Sequence, residues 1–333
     1  MSTACLTGMR VIVRLFNLCH PLRGEDLSPL SATRIPRGYR QILPVLRQEL
    51  SCLAQMATFL LCAAEVALVL WAAGASDARS QPAPEDPRAL VSQVVSNELE
   101  AQQNDNTYWM YVSEVQQPEK TQTQHVIETK EGSLTLLAAE NGRALTPQQQ
   151  HQEDKRINSL IHNPGELRKQ KQEQERDAQK EQQLLKMLPD GFLYQYEADE
   201  GRNIRLSFRP NPKFRPPTRE AKVFHAMQGT MLVDGVEKRL VELRGQLMRD
   251  VVFGWGIFGR LYAGGTFDVQ QREVAPGHWE ATLIDVHIRG KALFFKTINE
   301  QQHQVRSDFQ QVSGTITLEQ AAEMLKEQVT LAR

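Results

Sequence analysis

GTMLVDGVEKRLVELRGQL, residues 229–247, decides the fold. Met231-Leu232-Val233 runs into Asp234-Gly235, and Val241, Leu243 and Leu247 return at alternate positions. Apolar residues at every second place, broken by an Asp-Gly turn signal, predict two antiparallel strands with one buried face. The same period governs the flanks. Phe192, Tyr194 and Tyr196 share one face; Ile204, Leu206 and Phe208 alternate with Arg205, Ser207 and Arg209. Downstream, Phe267 and Val269 alternate with Asp268 and Gln270. Trp279, Ala281 and Leu283 hold one parity and Ile284, Val286 and Ile288 the other, which predicts a β-bulge near Leu283-Ile284. Residues 292–298 and 303–312 read as two further strands, and Thr317 caps a final helix carrying Leu318, Ala321, Ala322 and Leu325.

Upstream, Asp86-Pro87 is an N-cap followed by a first-turn proline. Leu90, Val91, Val94, Val95 and Leu99 then fall at helical spacing, predicting an amphipathic helix over 87–103. Strands are expected at 108–117, 122–129 and 133–138, a turn at Asn141-Gly142, and a second helical region from Thr146-Pro147. Residues 168–183 contain Ala178 as their one apolar residue, but have opposite charges three and four apart, as at Lys169–Glu173 and Asp177–Lys180. This stretch reads as a solvated helix, with a partner-binding arm as the alternative; without an apolar heptad stripe it is a poor coiled coil. The late strands follow one another with short connections, which excludes βαβ units. The expectation is an α+β fold: one strongly curved antiparallel sheet, a half-barrel, with helices packed on its concave side.

The chain has 333 residues, 41% of them hydrophobic, with a formal net charge of −1. That is enough apolar material for a core, and too balanced a charge for a dedicated nucleic-acid binder. Residues 54–75, AQMATFLLCAAEVALVLWAAGA, carry one charge, Glu65, and come after Arg34, Arg37, Arg40 and Arg47. Small residues at 73–78 favour a signal peptide cut there; the length also suffices for a single membrane helix. Either way the arginines predict that the chain beyond residue 78 is exported to the periplasm or cell envelope. The expected organisation is an irregular extension (1–53), a signal or membrane helix (54–78), a proline-bearing linker (79–86), and a half-barrel domain (87–333) with a polar helical insert at 147–188. All four cysteines lie at or before Cys62, so a processed chain would be cysteine-free, which suits an oxidising compartment.

In its early helix leading into YWMYVSEV (108–115) and in the hairpin at 229–247, the chain resembles the bacterial outer-membrane lipoprotein carrier and sorting superfamily, the LolA/LolB-like half-barrels. It is more closely similar to a group of secreted bacterial proteins carrying FRPNP, VFGWGIFGRL and ALFFKT, which bring no activity with them. The carrier resemblance implies a half-barrel that shelters an acyl chain. The polar insert and the strand-rich tail depart from that pattern.

Gly254, Gly256 and Gly259 match GxGxxG, but a turn and a strand are expected after them where a dinucleotide site needs a helix. The loop instead displays rings. Trp109, Tyr111, Trp255, Phe258 and Tyr262 are the candidate ligand-binding residues, rimming an apolar groove, with the alternative that such rings plug one end of the sheet. Arg205, Arg209 and Arg215 are candidate contacts to lipid phosphates, with a solvated rigid loop as the alternative. No HExxH pair, GxSxG elbow or distinctive carboxylate pair occurs, so neither a metal, a cofactor nor catalysis is expected. The expected partners are a lipid or lipoprotein acyl chain and a membrane surface. The competing expectation is a non-catalytic structural or interaction protein of the envelope whose core is filled by its own side chains.

Overall fold

A computed structural model describes residues 86–253, 259–292 and 296–331. The expectations for 1–53, for the apolar run at 54–78, for the linker up to Glu85, and for Trp255 and Phe258 lie outside the described residues. No helix among the described residues is long and apolar enough to cross a membrane.

The chain opens with α1 (Pro87–Asn104), capped by the Asp86 carboxylate, which accepts from Arg88 N. Strands β1 (Tyr108–Gln117), β2 (Lys120–Thr129), β3 (Gly132–Glu140) and the short β4 (Arg143–Ala144) follow as a meander. A capping box between Thr146 and Gln149 starts α2 (Pro147–His162), and α3 (Gly165–Gly191) follows it. Next come β5 (Phe192–Glu200), β6 (Asn203–Pro210), α4 (Arg219–Phe224), β7 (Met227–Asp234), β8 (Leu240–Leu247), β9 (Val251–Phe253), β10 (Gly259–Leu261), β11 (Thr266–Ala275), β12 (His278–Ala292), β13 (Lys296–Val312) and α5 (Leu318–Leu331).

The strands form one antiparallel sheet in the order β4-β3-β2-β1-β13-β12-β11-β8-β7-β6-β5, with the β9–β10 pair attached to β12. The last strand therefore pairs with the first, Trp109 opposite Gln311. The two predicted strands at 292–298 and 303–312 resolve differently: β12 extends to Ala292, and one 17-residue strand, β13, takes up the rest. The predicted bulge is present one residue earlier, at Thr282, where the β11–β12 register slips.

The half-barrel expectation is corrected. The sheet is open, with β4 and β5 as its two separate edges, and it is not strongly curled. Its helices are not confined to one side, because both faces of its first strands are apolar. Alternation along a strand puts neighbouring residues on opposite faces. Leu206, Met231, Leu243, Val269 and Ile284 stand in cross-strand register on what we call the front face. There they pack against Leu90, Val91, Val94 and Val95 of α1, Leu184, Leu185 and Leu188 of α3, and Phe224 of α4. On the back face, Met110, Ile127, Leu134 and Leu136 pack against Ile157 and Leu160 of α2 and Leu318, Ala321, Ala322 and Leu325 of α5. Leu167, at the start of α3, belongs to the back core, while the end of the same helix belongs to the front core. Helix α3 thus passes from one face to the other. Its middle is not merely solvated: Asp177 and Glu181 are buried along with its leucines.

Candidate functional site

The back face of β5–β8, β11 and β12 carries no helix among the described residues, and there the sequence alternation turns into a surface. One row of side chains crosses these strands in register: Gln195, Ser207, Thr230, Arg244, Asp268 and Asp285. Two residues along each strand lies a second row, with Leu193, Arg209, Gln228, Gln246 and Thr266. Between them the register is Phe208–Gly229–Gly245–Phe267, and those residues face front, leaving only backbone behind. Two walls and a low floor make a trough of about 610 Å³ running across the strands. With neighbouring strands ~4.8 Å apart and alternate residues ~7 Å apart, six strands give it a length of about 24 Å, and the two rows stand about 7 Å apart, centre to centre.

The two glycines make room on the front side of this row, not in the trough. A Cβ on Gly229 would stand 1.9 Å from the Arg244 carbonyl oxygen, and one on Gly245 would enter the ring of Phe267. Phe208 and Phe267 are buried on the front side and close the space that the glycines leave.

The charges of the trough balance. Arg244 donates to Asp268 at 2.7 Å and to the buried Glu242 at 2.8 Å, and its pairing with Asp268 pushes its pKa up. Asp285 lies 3.2 Å from His287 Nε2 and 3.3 Å from His303 Nδ1. Arg209 is exposed at the far end of the opposite wall. The rest of the walls is amide and hydroxyl, with Leu193 as the single apolar side chain pointing in among the described residues.

The sequence candidates separate onto opposite faces. Trp109 and Tyr111 point to the front and are buried in a small core with Val126, where Tyr111 stacks on Phe309 with ring centroids 5.2 Å apart. Trp109 Nε1 donates to Thr107 Oγ1, and its ring meets His278 edge-on. These two rings fill a core. The pairing of β1 with β13 brings Phe309 over them, a contact between residues nearly two hundred positions apart that no local pattern signals. Phe253 is likewise in the front core, and β9 and β10 pair as antiparallel strands, with no helix after the glycine motif. Tyr262 is half-buried just beyond β10, its backbone N–H bonded to Arg289 O. Of the basic strip, Arg205 and Arg209 do lie on the open back face. Arg205 is 3.4 Å from Glu242 and is neutralised within the sheet, Arg209 stands in the trough wall, and Arg215 is exposed in the loop after β6. The sequence reading missed Gln228, Thr230, Gln246 and Thr266. Their alternation with buried residues was the available signal, but register was needed to assemble them.

A second, smaller groove of about 390 Å³ lies between the polar middle of α3 and the β1–β3 strands, lined by Glu128, Thr129, Lys171, Gln179 and Gln182 among others. Glu128 accepts from Trp109 N at 3.2 Å. Burial pushes its pKa up to about 7, against the lowering effect of that hydrogen bond and of Arg306. Among the described residues no cluster of His, Cys, Asp or Glu has the geometry of a metal site.

No protein-family model matches this chain, and neither a curated protein nor a solved structure does.

Proposed function

We propose that the protein is a non-catalytic interaction module of the cell envelope that works through the open back face of its sheet. The observation that carries this reading is the contrast between the two faces. Where helices α1, α3 and α4 meet the sheet, the space is taken by leucine, valine, methionine and phenylalanine side chains of the protein itself. On the face that carries no helix among the described residues, a polar trough crosses six strands. Sheltering an acyl chain in the manner of the lipoprotein carriers requires an apolar cavity between sheet and helices; the filled front core favours the competing reading. The envelope location rests on the arginine-flanked apolar run at 54–75.

A photo-reactive amino acid placed at Gln228, in the trough, and separately at Val236, at the exposed tip of the β7–β8 turn, tests this in cells. Cross-linked adducts that form from Gln228 and not from Val236 are expected. Adducts from Val236 alone, or from neither position, overturn the assignment of the back face as the contact surface.

A further inference from the structure

We infer that the trough on the back face binds a neutral oligosaccharide chain laid across the strands. The inference rests on the reading that this face is the contact surface, and it goes further by naming what lies there. Three features of the walls select the ligand.

The first is charge. The two cations in the walls, Arg209 and Arg244, are matched by two carboxylates, Asp268 and Asp285, and Arg244 is already spent on Asp268 and Glu242. A nucleic acid or other polyanion needs several free cations in a line, because its affinity comes from phosphate neutralisation. Among the described residues the trough offers one, Arg209.

The second is the character of the remaining groups. Gln195, Ser207, Gln228, Thr230, Gln246 and Thr266 each present both a donor and an acceptor. A sugar hydroxyl also donates and accepts at one atom, so a polyol can satisfy these walls whichever way each amide or hydroxyl turns. An acyl chain would leave all of them unpaired when it displaced their water, at a cost that rises with every group.

The third is direction. The trough runs perpendicular to the strands, and its floor is the face of the sheet. An extended peptide adds to a sheet along a free edge, where backbone groups are unpaired; here β6, β7, β8 and β11, which carry the floor, are paired on both sides. A ligand in the trough must therefore be held by side chains alone. The trough's length of about 24 Å spans several sugar rings, which rest on the tips of two side-chain rows about 7 Å apart, centre to centre.

The full chain is titrated calorimetrically with three neutral hexasaccharides, cellohexaose, maltohexaose and chitohexaose, with the disaccharide of each, and with a six-nucleotide DNA strand. The double variant Gln228→Ala/Gln246→Ala removes two exposed amides of one wall without touching the floor or either core. Saturable binding of at least one hexasaccharide is expected, tighter than its disaccharide and weakened about tenfold in the double variant. Failure of all three to bind, binding unchanged in the variant, or preference for the DNA strand overturns the oligosaccharide assignment. If cross-links at Gln228 persist in cells under any of these results, only the ligand class is lost and the back face stands.

Discussion

The ring of Phe267 occupies the place that a side chain on Gly245 would need: a Cβ there would stand 2.3 Å from Phe267 Cε1. The pair lies in the front core directly beneath the trough: a side chain on the glycine would point to the front, into the space that the phenylalanine ring fills. Gly245→Ala is therefore expected to cost about 1–3 kcal/mol, as overpacking does. Chemical denaturation measures it. Thr266→Ala, one residue away on the opposite face, should change the midpoint little. Equal losses for both would mean that the ring moves aside freely.

Helix α1 is tied to the sheet by Glu98, which is buried and accepts from Arg239 at 2.9 and 3.1 Å and from Leu240 N at 2.9 Å. Arg239 also lies over the ring of Trp279. Glu98→Ala would take the acceptor from the Leu240 N–H and one partner from the half-buried Arg239, for a loss of about 1–3 kcal/mol. A melting temperature unchanged by the substitution would show that α1 is held by its apolar face alone.

The part of the fold that was legible in the sequence is the part governed by local period. Ile204 to Arg209 alternate because one face of β6 is buried and the other is wet, and the same rule foretold β7, β8 and β11. Asp86, Thr146 and Thr317 marked helix starts because their side chains satisfy backbone N–H groups close in sequence. Illegible was whatever depends on distant pairing. Trp109 and Met110 are both buried, on opposite faces, because β13 and the helices α2 and α5 arrive from elsewhere in the chain. The trough escaped for the same reason: Gln228, Gln246 and Thr266 are ordinary polar residues until register sets them side by side.

The polar stretch of α3 illustrates how composition misleads. Residues 168–183 contain almost nothing apolar, yet Asp177 and Glu181 are buried and the helix connects the back core at Leu167 to the front core at Leu184. Removing whole turns from this stretch would pull one of those anchors out of its core. A large fall in melting temperature is expected; retention of the wild-type value would restore the picture of a free solvated arm.

Glu128 gives the protein a pH dependence of definite sign. Its carboxyl titrates near 7 in the folded protein, above the ordinary 4.5, because burial disfavours the anion. Between those values the folded state holds a proton that the unfolded chain has released, so stability falls as pH rises through the window. Above pH 7 the full penalty applies, on the order of 1–2 kcal/mol once screening of the half-buried side chain is allowed for. Glu128→Gln should be more stable than the wild type at pH 8 and show less loss between pH 5 and 8. A wild type whose midpoint rises over that interval, with the variant flat, would contradict the assignment.

On the proposed reading, the protein fills its own core and offers its open sheet face to partners. Native mass spectrometry of the protein isolated from its own envelope tests this most directly, since an acyl ligand sealed between sheet and helices survives transfer to the gas phase. The mass of the bare polypeptide, with no lipid-sized adduct, is expected. A stoichiometric lipid adduct, lost only on unfolding, would contradict it.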